Sequence, residues 1–167
     1  GGDGGGLHHL IHRGVRLLGA LLEAAQGDQQ QGMNDDCGWR VQQLAQDRYG
    51  AAHLRADTIL AEGVATWGAG EYWLGGQPDF RAYVRGQRQA GSFYPLATDY
   101  RGLGVGAMNA LYYEWASFVE YLIGAYGREQ FDKLYASGGG GFGNADYAGV
   151  YGKPLADLER EWVAWLE

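Results

Sequence analysis

The sequence predicts a mainly α-helical domain. Apolar residues recur at steps of three and four over residues 7–25 and 107–126, which is the period of an amphipathic helix. A third run with this period follows Pro154. No segment shows the alternation of apolar and polar residues that a half-buried strand requires. We therefore expect a glycine-rich terminus at residues 1–6, followed by a single helical domain over residues 7–167.

Three helices are expected in the first half of the chain. The first, over residues 7–25, carries an apolar stripe beside a group of histidines. A stretch rich in Gln and Gly separates it from a helix over residues 39–49, which Gly50 ends. Asp57 is a suitable N-cap for the third helix, which we expect over residues 58–72.

The second half is expected to contain one long helix and several short ones. Pro78 precedes a short helix over residues 79–88, and the turn-forming residues of 92–106 predict a long irregular loop. Loops of this length often have a functional role. The long helix covers residues 107–126 and stops at Gly127. Shorter helices are then expected at residues 129–136 and at about 145–151, and a last amphipathic helix is expected to start at Pro154.

Composition and charge exclude several classes of function. The net charge of −7 and the pI near 5.0 oppose a nucleic-acid partner, because phosphate binding needs a basic face. No apolar run of about 18 residues is present, so no transmembrane segment is expected. The lone Cys37 cannot form an internal disulfide. The opening Gly-Gly-Asp-Gly-Gly-Gly suggests a processed product or a segment cut from a longer chain.

The first helix contains a possible metal-binding pair, His8 and His12. Side chains four residues apart lie one above the other on a helix face, so both imidazoles could bind one ion. Glu62 could supply a carboxylate from the third helix, which gives the three protein ligands of a catalytic zinc site. The alternative is a solvated histidine cluster near a glycine-rich terminus.

Two parts of the chain resemble a known family. The segment Leu-Ala-Glu-Gly-Val-Ala at residues 60–65 is similar to the third-ligand helix of gluzincin metallopeptidases. The segments at residues 116–129 and 151–162 are similar to the closing helices of bacterial domains of the peptidase clan MA type. These pieces together span most of residues 7–167. The resemblance implies a gluzincin-like helical domain that takes a peptide or protein as substrate or ligand.

The resemblance also implies roles for individual residues. His8, His12 and Glu62 would bind Zn²⁺. Tyr112, or its neighbour Tyr113, falls where related enzymes place a tyrosine that donates a hydrogen bond to the oxyanion of the transition state. The alternative for Tyr112 is a residue of the core or its rim. Family members are often exported, so an extracytoplasmic or secreted location is expected by this analogy.

The sequence departs from the family pattern at three points, one of which is the long gap of 49 residues between His12 and Glu62. His9 stands where the family has the Glu that takes a proton from water and passes it to the leaving amine. A protonated imidazole is disfavoured beside a divalent cation, so His9 would be a poor replacement and peptidase activity should be weak or absent. The family's upstream sheet is also absent or incomplete in this chain. A partner chain or a missing upstream segment would have to supply it.

Another class of function is also compatible with the sequence. The chain could be a non-catalytic binding or assembly module that uses aromatic residues around its glycine-rich loops. His53 and Cys37 have no partner at a recognised metal-ligand spacing and are expected to be structural or exposed. Asp57 or Glu71 could orient a ligand histidine. The aromatic residues considered for such a surface are Phe93, Tyr94, Tyr100, Tyr147 and Tyr151.

Overall fold

Helices follow one another along the part of the chain that the computed structural model describes, residues 43–69 and 79–167. The first is α1, whose described part covers residues 43–49 and continues into a 3-10 helix at Gly50–Arg55. The others are α2 at Thr58–Gly68, α3 at Phe80–Gln89, α4 at Val105–Tyr126, α5 at Arg128–Ala136, α6 at Tyr147–Tyr151 and α7 at Leu155–Leu166. All described residues belong to one compact unit, Gly38–Glu167.

The prediction of a mainly helical chain is confirmed for the described residues, which contain no strand. Several helix boundaries differ from the predicted ones by one to four residues. Helix α2 ends at Gly68, four residues early, where the poor helix propensity of glycine outweighs the apolar pattern that continues beyond it. Helix α4 begins at Val105, two residues early. The predicted helix over residues 7–25 lies outside the described residues.

Helix α4 is the centre of the core. Its 22 residues are apolar over a broad face, and Trp115, Phe118 and Leu122 are fully buried. Helices α2, α3, α5 and α7 all pack against it. The deeply buried residues that they contribute are Ile59, Leu60, Phe80, Val84, Phe131, Leu134, Leu158, Trp162 and Leu166. The core is therefore built around one long helix, with the candidate site at its contact with α2.

Two aspartates fix where helices begin. The Asp57 carboxylate accepts a hydrogen bond from the Ile59 amide at 3.0 Å and caps α2, as predicted. Asp79 accepts a hydrogen bond from the Ala82 amide at 2.9 Å and caps α3. The predicted helix began at Asp79 itself, whereas in the structure Asp79 is the residue before the helix. These caps satisfy backbone donors that have no partner inside the helix.

Within the described ranges, no helix combines the length and the apolar character needed to cross a bilayer. Helix α4 is long enough for this, but polar and charged residues interrupt its apolar face. This agrees with the expectation that these residues include no transmembrane segment.

Candidate functional site

Glu62 lies on α2, and its position is set by the neighbouring Gly63. A Cβ atom at Gly63 would lie 2.7 Å from the Trp115 carbonyl oxygen and 2.8 Å from Cγ2 of Val119. Only glycine therefore allows the backbone of α2 to lie so close to α4. Successive residues of a helix are about 100° apart around its axis, so Glu62 emerges at the margin of this contact, half-buried.

The Glu62 carboxyl group is held in a partly dry position. Burial raises its pKa above the ordinary value of 4.5. No other described side chain forms a hydrogen bond or an ion pair with it. A partly buried carboxylate without a cation partner among the described residues is a candidate for a functional role.

Tyrosines on two other helices lie within electrostatic reach of Glu62. They are Tyr112 of α4 and Tyr135 of α5. Burial is the main cause that raises the pKa of both phenols, and the charge of Glu62 raises it further. Both hydroxyls therefore remain protonated and able to donate a hydrogen bond near Glu62.

Tyr112 also contacts the segment between α3 and α4, residues 92–104, which we call the strap. Tyr100 of the strap adds to the rise in the pKa of Tyr112. The two rings meet edge to face, with centroids 5.7 Å apart and an interplanar angle of 86°. The strap therefore holds the phenol that the sequence predicted as an oxyanion donor.

Tyr113, the alternative to Tyr112, faces α3. Its ring lies 4.5 Å from that of Tyr83 and 6.3 Å from that of Phe80, measured between centroids. Burial raises its pKa, and Tyr83 contributes in the same direction. Of the two tyrosines that the sequence left open, the structure brings Tyr112 to Glu62.

The histidine motif lies outside the described residues. This applies to the predicted ligands His8 and His12, to the predicted base His9, and to Glu71. Within residues 43–69 and 79–167, no group of three His, Cys, Asp or Glu side chains could hold a metal ion. Glu62 is thus the one predicted ligand whose surroundings the structure describes.

His53 lies close to this site, although no spacing in the sequence connects it with Glu62. Its Nδ1 atom is 2.8 Å from the Tyr135 hydroxyl oxygen, and the pair is partly buried. Tyr49 stacks on the Tyr135 ring, with ring centroids 4.1 Å apart. The contact joins residues 82 positions apart in the chain, so a local pattern could not reveal it.

Asp57 is a structural centre beside the site. It is fully buried, and its carboxylate accepts hydrogen bonds from four donors. The donors are the backbone amides of Ile59, Gly143 and Ala145 and the hydroxyl of Tyr147. These bonds join the start of α2 to the glycine-rich loop over residues 138–143 and to the start of α6. They satisfy the hydrogen-bonding capacity of the buried carboxylate.

The aromatic residues considered for a partner surface take part in internal packing. Tyr147 is 3% exposed and donates its hydroxyl to Asp57. The Phe93 ring stacks on Trp162 of α7, with centroids 5.5 Å apart. The Tyr151 ring lies 4.8 Å from that of Tyr126. These side chains are used mainly to hold loops against the helical core.

Comparison of the whole chain with protein-family models, with curated proteins and with solved structures finds no significant match to it.

Proposed function

We propose that this chain is a zinc metallopeptidase-like domain of the gluzincin type whose catalytic activity is weak or lost. His8, His12 and Glu62 would hold the zinc ion, and Tyr112 would donate a hydrogen bond to the oxyanion. The ligand or substrate would be a peptide or protein, and the expected location is outside the cytoplasm. The proposal rests on the motif resemblance together with the surroundings of Glu62.

The observation that carries the proposal is the half-buried Glu62 carboxylate, which has no partner among the described side chains. Partial burial of a charge without a partner is unfavourable, and a nearby cation would offset this cost. A divalent cation would compensate it and would return the raised pKa of this carboxyl group towards its ordinary value. The chemistry of this donor fits a zinc ligand.

The described residues would also orient a bound peptide. A bound zinc ion would supply polarisation of the peptide carbonyl and lower the pKa of a water molecule. Tyr112 keeps its proton because burial and the Glu62 charge raise its pKa, so it can donate to an oxyanion. Tyr100 restricts the movement of that phenol through their edge-to-face ring contact.

His9 is the residue of the proposed site that is expected to limit catalysis. A general base and acid at this position contributes about 10²–10⁴-fold to a rate. An imidazole beside zinc is a poor carrier of the proton that the leaving amine needs, since the cation disfavours its charged form. The fold and the metal would then persist while turnover is lost.

We expect His9→Glu to increase peptide hydrolysis by about tenfold or more, because it restores the carboxylate base. The measurement compares the wild type, His9→Glu and the matched control His9→Gln on a broad peptide library with zinc present. His9→Gln removes the imidazole without adding a carboxylate and should stay at the wild-type level. Wild-type cleavage equal to that of His9→Glu would contradict the loss of activity.

A further inference from the structure

Two glutamate carboxyl groups from different helices hold the strap. The backbone amide of Tyr94 donates to Oε1 of Glu114 on α4 at 3.1 Å. The amide of Leu96 donates to Oε1 of Glu159 on α7 at 2.8 Å. The indole Nε1 of Trp115 donates to the Leu96 carbonyl at 2.9 Å. The strap is thus fixed at two alternate residues, mainly by ionisable side chains.

Glu114 is an unusual anchor because it is completely buried. Its Oε1 atom has one hydrogen bond, from Tyr94, and its Oε2 atom is buried with no partner in the described part of the chain. Burial raises the pKa of Glu114 to about 8, the Tyr94 amide opposes this, and the negative charge of Glu159 adds to it. The closed arrangement therefore suits the neutral acid better than the anion.

The charges around Glu114 do not favour its ionised form. The nearby charge is that of Glu159 on α7, which is also negative. Neither Glu114 nor Glu159 forms an ion pair with a cation of the described residues. Arg88 and Arg160 line a surface groove together with Glu159, but each of them contacts other groups. Arg88 of α3 lies over the Phe93 ring and near Glu167, and Arg160 pairs with Asp157.

The strap links this buried acid to the candidate site. Tyr100 of the strap contacts Tyr112, and its ring also lies 5.8 Å from Trp115 and 5.5 Å from Phe142, measured between centroids. These contacts hold one end of the strap, and Tyr94 and Leu96 hold the other end. Loosening of the Glu114 anchor would therefore loosen the support of Tyr112.

We propose that Glu114 is a pH-sensitive latch, which in its neutral form holds the strap and Tyr100 against α4 and in its ionised form releases them. Opening lets water reach the carboxylate, so the open state ionises as an ordinary Glu does. Because the acid is harder to ionise in the closed state, the closed strap loses stability as pH rises from about 4.5 to about 8. Above that range both states are ionised and the balance stays constant. This latch does not depend on the presence of zinc.

Hydrogen exchange at the Tyr94 and Leu96 amides tests the latch. Protection factors, corrected for the intrinsic pH dependence of exchange, would be compared at about pH 5.5 and about pH 8.5. We expect them to fall by about tenfold or more in the wild type, since each unit of pH between the two pKa values changes the equilibrium up to tenfold. In Glu114→Gln, which keeps an acceptor at this position and cannot ionise, they should not change.

The Ala145 amide, which donates to Asp57, serves as the internal control and should behave alike in both proteins. Constant protection at Tyr94 in the wild type, or an equal fall in Glu114→Gln, would overturn the proposal. If Glu114→Gln does not fold, the pH titration of the Glu114 carboxyl ¹³C chemical shift in the wild-type protein provides the test. A titration midpoint above about pH 7 supports the latch, and one near the ordinary value of about 4.3 rejects it.

Discussion

Replacement of Asp57 by alanine is expected to lower the free energy of unfolding by about 3–5 kcal/mol. Asp57 is fully buried, and its two oxygens accept hydrogen bonds from two parts of the structure. Its removal leaves buried donors without an acceptor, and each of them costs about 1–3 kcal/mol of stability. Water that enters the space would reduce this cost in part. The donors are at Ile59, Gly143, Ala145 and Tyr147.

Denaturant unfolding of Asp57→Ala and of a matched control would measure this cost. The control is Asp79→Ala, which also removes an N-cap aspartate but at an exposed position with one hydrogen bond. Its expected cost is about 1 kcal/mol, as is usual for a helix cap. Equal losses in the two variants would mean that Asp57 acts only as a cap and that its bonds to Gly143, Ala145 and Tyr147 contribute little.

Replacement of Gly63 by alanine is expected to cost about 1–2 kcal/mol in net stability and to displace Glu62. The added Cβ would overlap the Trp115 carbonyl oxygen at 2.7 Å, and this atom belongs to the rigid backbone of α4. Relief requires α2 to move away from the core, and overpacking of this kind typically costs about 1–3 kcal/mol and occasionally more. The cost should outweigh the better helix propensity of alanine, which is about 1 kcal/mol.

The matched control for this prediction is Gly86→Ala on α3. Gly86 is exposed and helical, and a Cβ atom there would meet nothing within 4 Å. The substitution should be neutral or should stabilise the protein by up to about 1 kcal/mol. Thermal or denaturant unfolding of the two variants checks whether stability falls in Gly63→Ala and stays equal or rises in Gly86→Ala. A neutral Gly63→Ala would show that α2 and α4 can separate without loss.

Local patterns made much of the fold predictable. The period of three and four residues located α4 and α7, and Asp57 marked the beginning of α2. These signals lie within one or two turns of a helix, so they do not need tertiary information. The 3-10 helix at Gly50–Arg55 was not predicted, because it is short and carries no repeated apolar pattern.

The candidate site was less predictable because its parts are distant in sequence. The motif singled out Glu62 and left Tyr112 and Tyr113 as alternatives, which only the packing of α4 against α2 and α3 separates. The approach of Tyr135 and His53 to the site joins the 3-10 helix to α5 across 82 residues. The buried anchor Glu114 could not be recognised from the sequence, because one charged residue barely changes the apolar pattern of the long helix that contains it.

The zinc affinity of the purified protein tests the central proposal most directly. Isothermal titration would compare the wild type, Glu62→Gln and the matched control Glu120→Gln. Glu120 is another half-buried acid, on α4, whose Oε2 atom has no partner among the described residues and whose pKa burial raises to about 7.

We predict one zinc ion bound for each wild-type chain and unchanged affinity in Glu120→Gln. Affinity in Glu62→Gln should fall by about a hundredfold or more, because loss of a residue that merely orients a ligand already costs about 10–100-fold. Failure of the wild type to bind zinc, or equal affinity in Glu62→Gln, would contradict a metal site built on Glu62.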